Sequence, residues 1–372
     1  MKSIAIVTRA NEATNWGGDL KALYTIRDGL NDIGYQAITT PNINVACDSD
    51  FVFVSNTCLD LSKYHAPLKS SGKPFGLIAF HEDYKLYQGM SGWYPTYIRE
   101  LINNNKLDSL KKPEYRTGGS ASAGNRQLIE SCDLVVLNSE HELGTMKRDY
   151  PKARGEVVYW TPGFADEWTD INTSSFCEKY NLTPGEYMLQ VGRLETRKNT
   201  IGTILATQDM TMPLVLIGNK GGQGWYLDIV TECLRRRKGP TIIISDYIQS
   251  QTSERITVHN TQQQFGGKLP TELLKSAFTD AALNVHPAFY ELPGYTYLEA
   301  AAVGTPSVGG EWCSIGEYGL GDLVKMCCSY DVDSIRQAID FQLSNQPTTK
   351  PQDVPFLSRT KTDVAKDLIK LL

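Results

Sequence analysis

The sequence predicts an α/β protein made of two domains, each built on a parallel sheet, and three observations lead there. The chain has 372 residues, more than one hydrophobic core usually serves. Short apolar runs alternate with helical segments along most of it. The alternation breaks once, at a polar stretch punctuated by Pro and Gly, and then restarts. Alternating strand and helix implies parallel sheets with right-handed crossovers, one sheet in each half.

In the first half the expected strands are SIAIVT (3–8), QAITT (36–40), DFVFVS (50–55), FGLIAF (75–80), DLVVLN (133–138) and EVVYW (156–160). Most are continuous apolar runs, as expected where helices cover both sheet faces. Between the first two, Leu20, Leu23, Ile26 and Leu30 recur at helical spacing, and Gly34 supplies the stop. Residues 82–126 are longer than one crossover needs. They hold Trp93, several tyrosines and the tract TGGSASAG; such long loops at strand ends often carry function.

The junction is TPGFADEWTDINTSSFCEKYNLTPGE (161–186). It divides a first domain, residues 1–165, from a second, residues 166–350. The second half repeats the theme with EYMLQVG (186–192), PLVLIG (213–218), TIIIS (241–245), RITVH (255–259), AALNVHP (281–287) and TPSVGG (305–310). After a second linker, a final helix in residues 356–372 is expected to pack back on the first domain.

Composition excludes several classes. Hydrophobic residues make up 41% and charged residues 21%, ordinary for a globular protein. No apolar run approaches the length of a membrane span. The start, MKSIAIVTRA, reads as a first strand rather than a signal peptide. Eight scattered cysteines without zinc or disulfide spacing fit free thiols and a cytoplasmic location. A net charge of −5 gives nucleic-acid binding no support. The densest basic run, LRRRKGP (234–240), reads as a helix C-terminus stopped by Gly-Pro.

Three stretches carry chemistry. Gly17 and Gly18 stand where the first helix starts, and bare amides at a positive dipole end suit an anion; a plain tight turn fits as well. The G-x-G-x-x-G fingerprint of dinucleotide binding is absent. In YMLQVGRLETRKN a strand runs into Gly192, Arg193 and then Lys198. Ligands of open α/β sheets bind off the carboxyl ends of strands. An Arg fork and a Lys point charge there can clamp a diphosphate, although two surface cations would look the same. In HPAFYELPGYTYLEAAAVGTPSV, Pro293 is expected to keep the loop extended, and Gly294 opens the backbone to a ligand. The amides of Gly294, Tyr295 and Thr296 would be free donors at a helix start. Glu291 and Glu299 would point to the same end of the sheet, at different depths, and suit two sets of hydroxyls.

This last stretch resembles the E-x7-E signature of retaining glycosyltransferases of the GT-B fold, a group that includes glycogen and sucrose-phosphate synthases and many polysaccharide-assembly enzymes. NWGGDLKALYTIRDGLNDIGYQA resembles their Gly-Gly loop and first helix, and FHED the motif carrying their active-site His. VVLNSE and PGFADEW resemble the segments leading to their interdomain hinge, and LQVGRLETRKN their phosphate-binding Arg and Lys. The tracts span about residues 3–340. The resemblance implies two Rossmann-like domains facing across a cleft. It implies a nucleotide-sugar donor, UDP- or GDP-linked, with no cofactor and no metal. It gives Glu299 the ribose, Arg193 and Lys198 the diphosphate, with help from the amides at 294–296 and 17–18. Glu291 receives the donor-sugar hydroxyls, and His81 a place near the reacting carbon. The first domain, with its 82–126 insertion, is expected to bind the acceptor: a glycan, a lipid, a small molecule or a modified DNA base.

The chain departs from the family pattern at Ala288, where Ser is usual, and at Leu292-Pro293, where Gly-Phe is usual. YTYLEAAAVGTPSV is also similar to phage α-glucosyltransferases that modify hydroxymethylated cytosine, which share the fold. A sugar-nucleotide-binding protein without transfer activity is a third reading. His286 is expected to be structural. The D-x-D tracts at 48–50 and 331–333 read as a turn and a helix cap rather than metal ligands. Glu317 is a further donor-facing candidate.

Overall fold

A computed structural model of the chain describes residues 2–10, 17–120, 123–161, 175–221, 224–246, 254–265 and 269–372. The PGFADEW segment, half of the 161–186 junction and part of the first Gly-Gly loop lie outside the described residues. The chain divides into two compact units. One comprises Met1–Tyr84, Gly119–Gly163 and Ser358–Leu372; the other comprises Lys85–Gly118 and Phe164–Leu357.

Among the described residues the first unit holds six parallel strands: β1 (Ser3–Val7), β2 (Gln36–Thr40), β3 (Phe51–Ser55), β4 (Phe75–Ile78), β5 (Leu134–Leu137) and β6 (Gly155–Val157), in the order β2-β1-β3-β4-β5-β6. Successive side chains of a strand face opposite sides, and here both sides are covered. Ile4, Ile6, Phe53, Ile78 and Val136 pack with Leu20, Leu23, Ile26 and Leu30 of the helix Gly18–Asp32. Ala5, Val7, Val52, Val54 and Val135 enter the opposite core with Leu68, Leu128 and Met146. Each fully buried large aliphatic side chain contributes about 1.5–3 kcal/mol, which explains why these strands read as unbroken apolar runs.

The last helix, Lys361–Ile369, starts with a capping box between Thr360 and Asp363. Its Val364, Ala365 and Leu368 join the first-unit core. A side chain at Gly29 would put its Cβ 2.1 Å from the Lys361 carbonyl oxygen, so the two helices meet backbone to backbone.

Among the described residues the second unit holds seven parallel strands: β7 (Met188–Val191), β8 (Leu214–Ile217), β9 (Thr241–Ser245), β10 (Ile256–Asn260), β11 (Leu283–His286), β12 (Ser307–Gly310) and β13 (Val324–Cys327). Their order is β10-β9-β8-β7-β11-β12-β13. The order reverses between β7 and β11, and there adjacent crossovers leave on opposite faces and open a crevice. Strand β13 was not among the expected elements. It is a short edge strand with a half-exposed burial pattern, so it lacks the apolar signal of its neighbours.

The insertion differs from expectation. Residues 85–118 belong to the second unit, not to the first domain. The helix Tyr84–Asn103 stacks Tyr87 on Tyr290 with ring centroids 5.1 Å apart and sets Tyr94 edge-on to Phe289 at 5.9 Å. Tyr115 meets Trp312 at 5.6 Å. Tyr87, Tyr94 and Tyr115 are accounted for by aromatic packing on the segments that follow β11 and β12.

The basic run behaves as a helix end. The helix Gly224–Arg236 finishes on Arg235 and Arg236, which pair with Glu232. Arg237 is buried and donates to the carbonyl of Pro240 and the hydroxyl of Thr207; burial pushes its guanidinium down to about 10.

Candidate active site

The residues of interest in the second unit gather where β7 and β11 end side by side. Strand β7 delivers Gly192, at φ +156°, and a Cβ there would lie 3.1 Å from Cε1 of His286. A short turn, Thr196–Lys198, follows. Asn199 then adopts the left-handed conformation at φ +55° and caps the helix Thr200–Ala206 by accepting from the Gly202 amide. Its Nδ2 donates to the carbonyls of Pro287 at 2.9 Å and Ser329 at 2.6 Å. The turn after β7 is thereby tied to the loop after β11. The Phe289 amide donates to the Arg197 carbonyl at 2.8 Å, and Arg197 Nη1 donates to the Tyr290 carbonyl at 2.9 Å.

These ties bring Glu291 against two donors and a further cation. Its Oε1 takes the Lys198 ammonium in a close ion pair, with Arg197 Nη1 at 3.6 Å and His286 Nε2 at 3.4 Å. Its Oε2 takes no hydrogen bond among the described residues. Burial alone would raise the Glu291 carboxyl, but Lys198 and Arg197 outweigh it and hold the group well below the usual carboxylate range. Burial draws the Lys198 ammonium down, opposed by Glu291.

His286 is fully buried. An ionised carboxylate only accepts hydrogen bonds, so the His286 nitrogen facing Glu291 carries the proton. The other nitrogen, Nδ1, is buried without a partner among the described residues. Burial lowers the pKa of this imidazole, with Glu291 opposing. The Tyr297 hydroxyl donates to the His286 carbonyl and so anchors the strand end from the next helix.

That helix, Tyr295–Ala302, has Gly294 as its N-cap at φ +79°. A Cβ at Gly294 would meet the Tyr297 ring at 2.8 Å, so only glycine fits both the angle and the space. Gly294 offers no capping side chain, and the first-turn amides, those of Tyr295 and Thr296, lack intrahelical acceptors. Glu299 lies four residues after Tyr295 on the same helix face, half-buried. The Leu292–Pro293 peptide bond is cis, whereas the sequence suggested a simple extended loop. The 3-10 turn Ser314–Tyr318, which carries Glu317, docks its first amide on the Glu291 carbonyl at 3.4 Å.

Arg193, on the same turn, is 59% exposed at its side chain and lies 3.3 Å from Glu195, which also meets Arg197 at 3.5 Å. The structure therefore brings Lys198 and Glu291 into direct contact and leaves Arg193 outward with a carboxylate partner.

The first-unit candidates occupy the carboxyl ends of β1, β3 and β4. Gly17 precedes the helix Gly18–Asp32 in extended conformation, and Asp19 in the first turn pairs with Arg9 at 3.3 Å. The amide end that the sequence offers to an anion thus already faces a carboxylate. His81 follows Phe80, which adopts φ +46°, an uncommon angle for an aromatic residue. The His81 ring is fully buried, with Nδ1 2.9 Å from the Thr57 hydroxyl and Nε2 3.1 Å from Asp149. Its backbone amide donates to Glu142 at 2.6 Å. Burial lowers the pKa of the imidazole, opposed by Asp149. Burial alone would raise the Asp149 carboxyl, but Arg148 and His81 hold it below its ordinary value. Asp83 takes both Nη atoms of Arg148, at 2.9 and 3.0 Å.

Sequence reasoning missed Arg197, Asn199 and Asp149 as parts of these networks, and it assigned His286 to structure alone. One signal was present. Gln190 and His286 are polar residues inside buried apolar strands, where each needs a partner. Among the D-x-D tracts, Asp331 caps the helix Val332–Ser344 by accepting from Asp333 and Ser334, and Asp50 accepts from the amide and hydroxyl of Ser3.

No family model matches the chain. It is 24% identical over 268 residues to the O-antigen chain mannosyltransferase B of Escherichia coli; the match covers 68% of this chain and 64% of that relative's length. Among solved structures it is similar to sucrose-phosphate synthase from Thermosynechococcus elongatus, with a TM-score of 0.65 at 14% identity over 99% of this chain and 95% of that one. The α,α-trehalose-phosphate synthase of Burkholderia xenovorans, bound to glucose-6-phosphate, gives 0.65 at 10% identity over 100% and 99%. The Anabaena protein HepE, in complex with UDP-glucose, gives 0.65 at 12% over 100% and 99%. At such identities the likeness is one of fold. The fold is GT-B: two Rossmann-like domains, each with a parallel sheet and flanking helices.

Proposed function

We propose that this protein is a glycosyltransferase that moves a sugar from a nucleotide-sugar donor to an acceptor hydroxyl, with retention and without a metal ion. The observation that carries the reading is the Lys198–Glu291 pair at the β7/β11 switch point, beside the uncapped helix start at Gly294. A cation and first-turn amides suit a diphosphate, and a carboxylate with one oxygen unengaged among the described residues suits sugar hydroxyls. The second unit holds the donor in this reading, and the first is assigned the acceptor.

Arg193 and Lys198 take the diphosphate, with the amides of Tyr295 and Thr296. Glu299 takes the ribose hydroxyls and Glu291 the donor sugar. In a front-side displacement the bond from the anomeric carbon to the leaving phosphate breaks as the acceptor oxygen adds on the same face. The leaving phosphate receives the acceptor proton, and the cations stabilise its growing charge. Both ring nitrogens of His81 have partners. His81 is therefore given the role of fixing the end of β4 rather than transferring a proton. The match to a mannosyltransferase acting on O-antigen chains supports a growing glycan as the acceptor.

Incubation with UDP- and GDP-sugars and oligosaccharide acceptors, in the presence of a chelator, tests the reading. Release of nucleotide with an α-linked product from an α-linked donor is expected. No release with any donor, or an inverted product, would count against it.

A further inference from the structure

Glu291 sits where a phosphate would be expected. Two donors, Lys198 and His286, and the nearby Arg197 cation converge on Oε1, while Oε2 has no donor among the described residues. The pairing is one-sided. One oxygen neutralises the cation assigned to the diphosphate, and the side chain is only 8% exposed. A phosphate arriving at Lys198 must compete with a buried carboxylate already bound there. Both anions cannot hold the same ammonium without close repulsion.

Resting on the reading above, we propose that Glu291 is an internal anion that occupies Lys198 until the donor diphosphate displaces it, so that phosphate binding frees Oε1 for the sugar. His286 supplies the holding contact. Its Nε2–H stays on the carboxylate after Lys198 leaves, because the ring is fully enclosed and its backbone carbonyl is held by Tyr297. Diphosphate and sugar recognition are then coupled: His286 keeps its contact on Oε1, and the position vacated by Lys198 opens to a sugar hydroxyl only when the phosphate is in place. No bond is made or broken in this exchange; one ion pair replaces another.

The proposal gives a counterintuitive expectation. Replacing a carboxylate beside a phosphate site by its neutral isostere, Glu291→Gln, removes the competitor. UDP and GDP, each without sugar, serve as probes in calorimetric titrations of wild type and variant. Whichever nucleotide the wild type binds should bind the variant about tenfold tighter, the factor that corresponds to about 1.4 kcal/mol. Equal or weaker binding by a folded variant overturns the exchange. If neither nucleotide binds either protein, the donor-site reading falls, and the exchange with it. A crystal structure of the wild type with the bound nucleotide tests the same point without mutation. Lys198 Nζ should contact a phosphate oxygen and have left Glu291; an intact Lys198–Glu291 pair beside bound diphosphate overturns the proposal.

Discussion

His81 and His286 make an informative pair. Each is a fully buried histidine at the carboxyl end of a sheet, each faces a carboxylate through Nε2, and burial lowers the pKa of each. They differ at the other nitrogen. His81 Nδ1 meets Thr57, so its polar atoms are satisfied. His286 Nδ1 has no partner among the described residues, and the carboxylate it faces is shared with two cations. A satisfied buried network rigidifies, and an incompletely satisfied one marks a place where something else can bind. The histidine that the sequence singled out is the satisfied one.

The comparison breaks first if the cation cluster is inert. Lys198→Ala should lower turnover by about 100- to 1,000-fold, the scale of losing one charge-stabilising donor in a transition state. It should also cost stability, because Glu291 keeps only weaker partners. Unchanged turnover in steady-state assays would remove Lys198 from the reaction.

The next contrast is between the histidines themselves. His81→Ala strands a buried hydroxyl and a carboxylate, and should destabilise the protein by roughly 2–4 kcal/mol in urea unfolding. His286→Ala strands less and should cost closer to ~1 kcal/mol, yet it should weaken donor binding, which His81→Ala should not do in the fraction that stays folded. The reverse ranking would exchange their roles. A third expectation concerns ribose: Glu299→Ala should raise the donor KM about tenfold, with kcat little changed. An unchanged KM would place the ribose elsewhere.

Much of this was legible in the sequence. Twelve strands were visible because continuous apolar runs are what a sheet covered on both faces requires. The thirteenth, Val324–Cys327, was not, because an edge strand buries only part of itself. Lys198, Glu291 and Gly294 could be read from spacing against strand ends. Their mutual contact could not, since 92 residues of sequence separate Lys198 from Glu291 and only the β7–β11 pairing closes that distance. The placement of residues 85–118 was also hidden. Nothing in a run of tyrosines says which core the rings join; that is decided by Phe289, Tyr290 and Trp312.

The smallest expected effect is the dependence of stability on pH. Below about 6.5, the ordinary imidazole value, the unfolded chain takes up a proton at His81 and the folded chain does not. The unfolded state then binds more protons, so stability rises with pH across this window and falls on acidification from about 6.5 down to the folded pKa. Each such histidine adds a slope of at most about 1.4 kcal/mol per pH unit. Glu291 behaves differently. Its carboxyl is depressed, so its contribution is complete above about 4.5 and is lost only as pH falls through its lower folded value. The histidine window opens above the one in which Glu291 titrates, and urea titrations between pH 7.5 and 5.5, in about half-unit steps, read the histidine term with Glu291 still ionised. His81→Asn should reduce that slope by its own share, and so should His286→Asn. A wild-type slope that survives either substitution undiminished would mean that the ring in question titrates as if exposed, and the buried pairing described for it would fail.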